Sequence, residues 1–213
     1  MAVTREDVIN WIRAYGSKIA ENKAYLTDLD AAIGDADHGA NMDRGFNDPA
    51  KGVVAKLPTV ADKDIGTILK TAGMTLVSTV GGAGGPLYGS LFMQMGTAVA
   101  GKTELTGQDL VAMFDAGLKG VVARGKANLG DKTMVDAITP AVEAMRAAAD
   151  GNGSTAEVLR QGTAAAEKGM TDTIPLVAKK GRASYLGERS AGHQDPGATS
   201  SYLLFKTASE TWQ

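Results

Sequence analysis

The chain has 213 residues, enough for one domain and thin for two. Its 44% hydrophobic and 22% charged content is that of an ordinary folded protein, and 22 Lys plus Arg against 24 Asp plus Glu give a formal charge of −2, which excludes the broad basic face of a non-specific nucleic-acid binder. With no Cys, disulfides, thiolate catalysis, iron–sulfur clusters and Cys-ligated zinc are excluded as well.

The opening segment predicts a helix. Thr4 and Asp7 have capping-box spacing, and Val8, Trp11, Ile12, Tyr15 and Ile19 fall on one face. Acidic residues and no apolar run at the N-terminus predict no signal peptide and suit a cytoplasmic chain. Residues 26–46, LTDLDAAIGDADHGANMDRGF, are dense in carboxylates and Gly, with little periodicity after Ile33. Within them 34–40 reads as a loop, and 47–58, with Pro49, Gly52 and Pro58, as a connector. Ile65, Ile68, Leu69, Ala72, Leu76 and Val80 recur at spacings of three and four, which predicts a long helix from about 62 to 80.

The run GGAGGP (81–86) interrupts that pattern and rules out a membrane span across 71–100. Leu87, Leu91, Met95 and Ala98 mark the next helix. Thr106 and Asp109 repeat the capping-box spacing ahead of Leu110, Met113, Phe114, Leu118 and Val121. A polar loop, RGKANLGDKT (124–133), leads to a helix through Val135, Ile138, Val142 and Met145. GNGS (151–154) is a turn, and Ser154 with Glu157 starts a further helix. A long irregular segment, 179–197, precedes a last helix near 198–211. No run of alternating β-branched residues is evident, so the expected fold is all-α: a bundle of seven or eight helices in a single domain spanning 1–213. Gly is abundant, 27 residues against an average near ~7%, and aromatics are only 5%. Such a chain packs helices closely or brings backbone close to a ligand.

The strongest chemical signal is Asp30, Asp35 and Asp37, followed by His38-Gly39 and Asn41. Three carboxylates within eight residues repel unless a cation lies between them. A hard-oxygen set with no Cys selects Mg²⁺, Mn²⁺ or Ca²⁺ over zinc. An EF-hand is excluded, because counting from Asp35 the twelfth position is Phe46, not Glu. Taken alone, the cluster is better explained by helix caps and solvated turns. Gly120 to Lys126 has P-loop spacing, but Ala127 stands where Ser or Thr is required and no strand precedes it. Gly151-x-Gly153-x-x-Ala156 matches a dinucleotide fingerprint by letters only. The 81–86 run leads straight into a helix, either a tight helix–helix turn or a backbone anion site. Residues 181–197 gather Arg182, Glu188, Arg189, His193, Gln194 and Asp195 in one loop, and Arg182 offers a fork of donors for a phosphate. The residues by themselves support a metal–phosphate site in an α-bundle.

IGDADHGANMDRGF (33–46), GGAGGPLYG (81–89), RGKANLGDKTM (124–134) and GRASYLGERSAGHQDPGATS (181–200) together resemble the nucleotide-binding (L) subunits of dihydroxyacetone kinases, in order and over essentially the whole chain. The resemblance implies a barrel of eight antiparallel helices with ADP or ATP at one end. It implies that Asp30, Asp35 and Asp37 hold two Mg²⁺ ions, and that His38, Gly39, Ala40, Asn41, Ala83 and Gly84 line the nucleotide. It places Gly125 and Met134 beside the nucleoside, Arg182 at the phosphates as the catalytic contact, and Asp195, Pro196 and Gly197 across the site. The family pattern usually has Ser at the position of Gly84, so a hydroxyl contact to phosphate is missing here.

The implied partners are a dihydroxyacetone-binding kinase subunit and a phosphohistidine carrier of the bacterial phosphotransferase system, which rephosphorylates a retained ADP. Neither a membrane nor direct nucleic-acid contact is implied. The family also holds ATP-exchanging kinases for dihydroxyacetone or a related short ketose. In some members the L subunit senses nucleotide and binds a transcription regulator.

Overall fold

The structure, a computed structural model, describes residues 2–212. Helix α1 (Arg5–Glu21) begins at the predicted capping box: the Asp7 N–H donates to the Thr4 hydroxyl at 3.2 Å, and the Thr4 N–H donates to the Asp7 carboxylate at 2.8 Å. The second predicted box holds in the same way at Thr106 and Asp109, opening α7 (Gly107–Gly125). Between them lie α2 (Lys23–Ile33), α3 (His38–Asn47), the short α4 (Val53–Lys56) with a 3₁₀ turn at Leu57–Val60, α5 (Ile65–Thr79) and α6 (Gly84–Ala98). After α7 come α8 (Val135–Asp150), α9 (Thr155–Asp172), a kinked 3₁₀ segment at Arg182–Ser190 and α10 (Pro196–Thr211). As expected from Ser154 and Glu157, the Glu157 N–H donates to the Ser154 hydroxyl at the start of α9.

Three local expectations needed correction. Residues 34–40 are not all loop, because α3 already starts at His38. Its helical face is short, with Met42 and Phe46 as its large buried apolar residues and Gly39 and Gly45 as its other buried non-polar positions, so the 3.6-residue period barely repeats. The connector 47–58 contains α4 and the first half of a 3₁₀ turn. A two-residue antiparallel ladder pairs β1 (Val3–Thr4) with β2 (Glu104–Leu105), far too short for alternation to betray.

Packing closes a ring. Each of α5 through α10 lies against the next, α10 returns to α1, and α1 and α3 join it back to α5. The scarce aromatics are concentrated inside. Trp11 packs on Phe92, Phe114 and Trp212 with centroids 6.0, 6.1 and 4.7 Å apart, while Tyr15 meets Phe46 edge-on at 4.9 Å. The Gly excess has a packing cause at α5 and α6: a Cβ on Gly66 would stand 2.6 Å from the Gly96 carbonyl, and one on Gly96 2.5 Å from the Gly66 carbonyl. Neither position accepts a side chain unless the two backbones separate.

Because neighbours in the ring run antiparallel, the N-termini of α3, α6, α8 and α10 gather at the same end as the C-termini of α2, α5, α7 and α9. All four polar loops singled out in the sequence lie there. Among the described residues no helix is long and apolar enough to cross a membrane.

Candidate functional site

Asp30 sits in the last turn of α2 and turns inward. Its Oδ2 accepts the N–H groups of Asp37 at 2.8 Å and His38 at 3.1 Å, which caps the start of α3. Gly34 makes room for this, since a Cβ there would overlap the Asp30 carboxylate. Ala36, between the other two acids, takes a left-handed conformation with φ 60°, uncommon for a residue with a side chain. Asp30, Asp35 and Asp37 thereby bring carboxylate oxygens within 4.8 Å of one another. Among the described residues one ion pair answers these three negative charges: Arg182 Nε donates to Asp35 Oδ2 at 2.9 Å, with the Arg182 side chain 67% exposed. Such a pair contributes little to stability. The remaining charge and the all-oxygen donor set fit a hard divalent cation.

Opposite the acids, residues 80–84 turn through Gly82, at φ 61°, into α6. No side chain caps α6, so the first N–H groups of that helix have no intrahelical partner and face an anion favourably. Asn41 is buried here; its Oδ1 accepts from Arg44 Nη2 at 2.6 Å, and Arg44 Nε donates to the Thr79 carbonyl. A Cβ at Gly84 would approach Val80 Cγ1 to 3.1 Å, so a side chain there presses on Val80.

The third wall is apolar, made by Leu87, Val121, Ala127, Met134 and Val135. Its loop, residues 126–134, is tied down by Asp131, Asp136 and Lys132, none of which carried a role in the sequence. Asp131 accepts the Asn128 N–H at 2.8 Å, and Asp136 accepts the N–H groups of Gly130 and Thr133 at 2.5 and 2.7 Å. Thr133 and Asp136 have the same spacing as the two capping boxes, a signal that could have marked the start of α8. Lys132, left-handed with φ 62° and 1% exposed, donates its ammonium to the carbonyls of Thr173 at 2.7 Å, Leu176 at 3.1 Å, Ile174 and His193. Burial lowers its pKa, against the opposing pull of Asp195 and Asp136. Nothing in the local sequence distinguishes such a Lys from a solvated one.

Asp195 closes the fourth side. It is buried, and its Oδ2 accepts the Ala198 N–H at 2.7 Å to cap α10. Burial, with the Asp136 and Asp30 carboxylates nearby, pushes its pKa up to about 7, even though the Ala198 N–H and Lys132 favour the charged form. A raised carboxyl pKa contributes stability that is present below the unfolded value near ~4 and is lost as pH rises towards 7. Asp195→Asn keeps the cap acceptor but removes the titration. In ligand-free protein, the variant should gain stability over the parent between pH 4 and 7, by up to ~1.4 kcal/mol per pH unit, and the difference should be flat above that. Melting curves taken across this range check it; a constant difference would show that Asp195 is ionised throughout.

Together these walls enclose a cavity of about 480 Å³, the size of a nucleotide-scale pocket. It is lined by Asp30, Asp35, Asp37, His38, Asn41, Ala83, Gly84, Gly125, Met134, Arg182, Asp195, Pro196 and Gly197, drawn from all four loops. Gly39 and Ala40, also expected at the nucleotide, are not in the wall. Gly39 packs α3 on α2, where a Cβ would run into the Lys23 carbonyl. Lys132, Arg124, Leu87 and Tyr88 line the cavity too and were not foreseen there.

Residues 32–210 match the DAK2 domain family. The chain belongs to that family. It is 50% identical over 206 residues to the PEP-dependent dihydroxyacetone kinase, ADP-binding subunit DhaL, of Escherichia coli (strain K12), covering 97% of this chain and 96% of that one. It is 41% identical over 209 residues to the PTS-dependent dihydroxyacetone kinase, ADP-binding subunit DhaL, of Lactococcus lactis subsp. lactis (strain IL1403), covering 98% of each. Among solved structures, the dihydroxyacetone kinase from C. freundii in complex with AMP-PNP and Mg²⁺ shares the fold, with a TM-score of 0.67 and 23% identity over 95% of this chain. This DAK2 domain corresponds to 33% of that longer chain.

Proposed function

We propose that this chain is the nucleotide-holding subunit of a dihydroxyacetone kinase, a phosphotransferase with an alcohol group as acceptor. In this reading it retains ADP, receives a phosphoryl group from a phosphohistidine carrier of the phosphotransferase system, and delivers it to dihydroxyacetone on a partner subunit. The observation that carries this is the convergence of three carboxylates, an uncapped helix N-terminus and an apolar wall on one cavity. Near full-length identity to ADP-binding subunits supplies the substrate class. We place the protein in the cytoplasm, as a single domain.

Asp30, Asp35 and Asp37 would hold the two Mg²⁺ ions, which when bound neutralise the charge of the phosphates. The α6 N-terminus, from Ala83 and Gly84, offers backbone N–H groups to phosphate oxygens, and these stand in for the hydroxyl that Gly84 lacks. His38 and Asn41 line the nucleotide cavity beside them, with Gly39 and Ala40 shaping the first turn beneath. Gly125 and Met134, with Leu87 and Val121, receive the nucleoside by shape and exclude water from it. Asp195, Pro196 and Gly197 close the wall. Arg182 is exposed enough to leave Asp35 and reach a phosphoryl oxygen with its bidentate fork. Arg182→Lys keeps the charge and loses the fork, so kcat should fall about tenfold or more while Mg–ADP affinity changes less. Equal losses in steady-state kcat and in calorimetric Kd would make Arg182 a binding residue only.

We assign no side chain the task of carrying the phosphoryl group covalently. The chain has no Cys, Nε2 of His38 is engaged by Ser200, and His193 lies outside the cavity wall. Incubation with a labelled phosphoryl donor system, followed by denaturation, should release all label as ATP. Acid-labile, base-stable label on His38 or His193 would overturn the proposal. Loss of nucleotide on extensive desalting would make freely exchanging ATP the donor instead.

A further inference from the structure

Behind the cavity, α10 carries a buried hydroxyl cluster that the roles above leave unused. Ser200, Ser201, Tyr15 and Tyr88 are all buried. Ser200 Oγ has three neighbours at hydrogen-bonding distance: the Gly197 carbonyl at 3.1 Å, Tyr88 OH at 2.6 Å and His38 Nε2 at 2.9 Å. A hydroxyl has one proton and two lone pairs, and a carbonyl only accepts. Ser200 therefore donates to Gly197 and accepts from both other neighbours. Tyr88 OH donates to Ser200, and its oxygen accepts from Ser201 Oγ at 3.2 Å. Tyr15 OH donates to the Ser200 carbonyl at 3.0 Å. In this assignment every hydroxyl of the cluster is satisfied, as burial demands, and a proton stands on Nε2 of His38. Nδ1 of the same ring has no protein partner among the described residues, and His38 lines the cavity.

We propose that Ser200 and Tyr88 are positioning residues of the nucleotide site: they hold His38 in the Nε2–H tautomer, so that Nδ1 serves the bound Mg–nucleotide as a hydrogen-bond acceptor. The proposal rests on the cavity being a Mg–nucleotide site. Its ligand group follows from the chemistry of Nδ1, which needs a donor. Ionised phosphate oxygens have no proton to give, whereas a ribose hydroxyl or a metal-bound water does. The link also joins the first turn of α3, with Asp37 and His38, to the first turn of α10, with Asp195 and Gly197. The ring is thus fixed by the two elements that flank the ligand.

The test combines spectroscopy with binding on the full chain. The imidazole ¹⁵N spectrum of His38, assigned with a His193→Gln variant, should show the Nε2–H tautomer with and without Mg–ADP. Ser200→Ala removes the acceptor, so the spectrum should average over both tautomers and Mg–ADP should bind about five- to tenfold more weakly. Tyr88→Phe should shift both readouts in the same direction by less, and carries the same criteria if circular dichroism shows Ser200→Ala to be misfolded. Two ligand analogues locate the donor. If 2′-deoxy- or 3′-deoxy-ADP binds more weakly to the parent but not further so to Ser200→Ala, the donor is the ribose; if the losses add, it is metal-bound water. A proton on Nδ1 in the parent would overturn the proposal, as would a folded Ser200→Ala variant with tautomer and Kd unchanged. A parent that binds no Mg–ADP at all would sink the nucleotide reading beneath it.

Discussion

Asp35→Ala should weaken Mg–ADP binding by about a hundredfold or more, roughly 2.7 kcal/mol, while leaving the ligand-free melting temperature within about 1 °C. The asymmetry follows from where Asp35 sits. It is exposed, and its partner Arg182 is more exposed still, so the fold loses almost nothing with it. The cation site loses one of three carboxylates whose oxygens lie within 4.8 Å of one another. Sites for phosphoryl groups depend mainly on charge neutralisation by such ions, so affinity should collapse. Asp37→Ala should behave alike.

Asp30→Ala should differ, because Asp30 also caps α3 through the N–H groups of Asp37 and His38. Loss of that cap costs roughly 1–2 kcal/mol in addition to the lost affinity. Asp28→Ala and Asp43→Ala serve as controls. Asp43 is taken up by Lys23 at 2.9 Å, away from the cavity. Titration calorimetry with Mg–ADP and thermal melts decide the matter together, since saturating ligand at a thousandfold over Kd adds about 4 kcal/mol of stability to the parent. Equal losses at Asp28 and Asp35, or melts indifferent to Mg–ADP and to chelation, would reduce the three acids to solvated caps.

Lys132→Met should be the most destabilising single change near the site, at about 3–5 kcal/mol. For a chain of this length that is roughly 6–20 °C in melting temperature. Met matches the stem of Lys but donates nothing, and the carbonyls of Thr173, Ile174, Leu176 and His193 then lose the donor they share. The same change loosens residues 173–193 from residues 126–134, leaving the Lys179 N–H to the Asp131 carbonyl as a tie between them. The segment holding Arg182 would then be less firmly held against the wall holding Met134, and Mg–ADP affinity should fall with stability. Calorimetric melts of the ligand-free protein test the first effect. A loss below about 1 kcal/mol would mean that water replaces the ammonium in its carbonyl cage.

What the amino-acid order determined by itself lies within a few residues of each feature. The capping boxes at Thr4 and Thr106 are legible because donor and acceptor are three positions apart. The long amphipathic helices α5 and α7 repeat their period often enough to be read, whereas α3 does not. Asp30, Asp35 and Asp37 stood out because eight residues contain all three, and an acid cluster needs a counter-charge wherever it folds. The acids could still have been surface caps. Their conversion into one wall of a cavity with an anion-seeking helix end opposite was decided only by ring closure, which brings alternate helix ends to one side.

Lys132 and Ser200 lay entirely beyond local reading. The carbonyls that hold Lys132 are 41 to 61 residues away, and Ser200 meets Tyr88 and His38 across 112 and 162. A buried ammonium or hydroxyl is tolerated only where distant partners satisfy it. Those partners become neighbours only when the chain is packed.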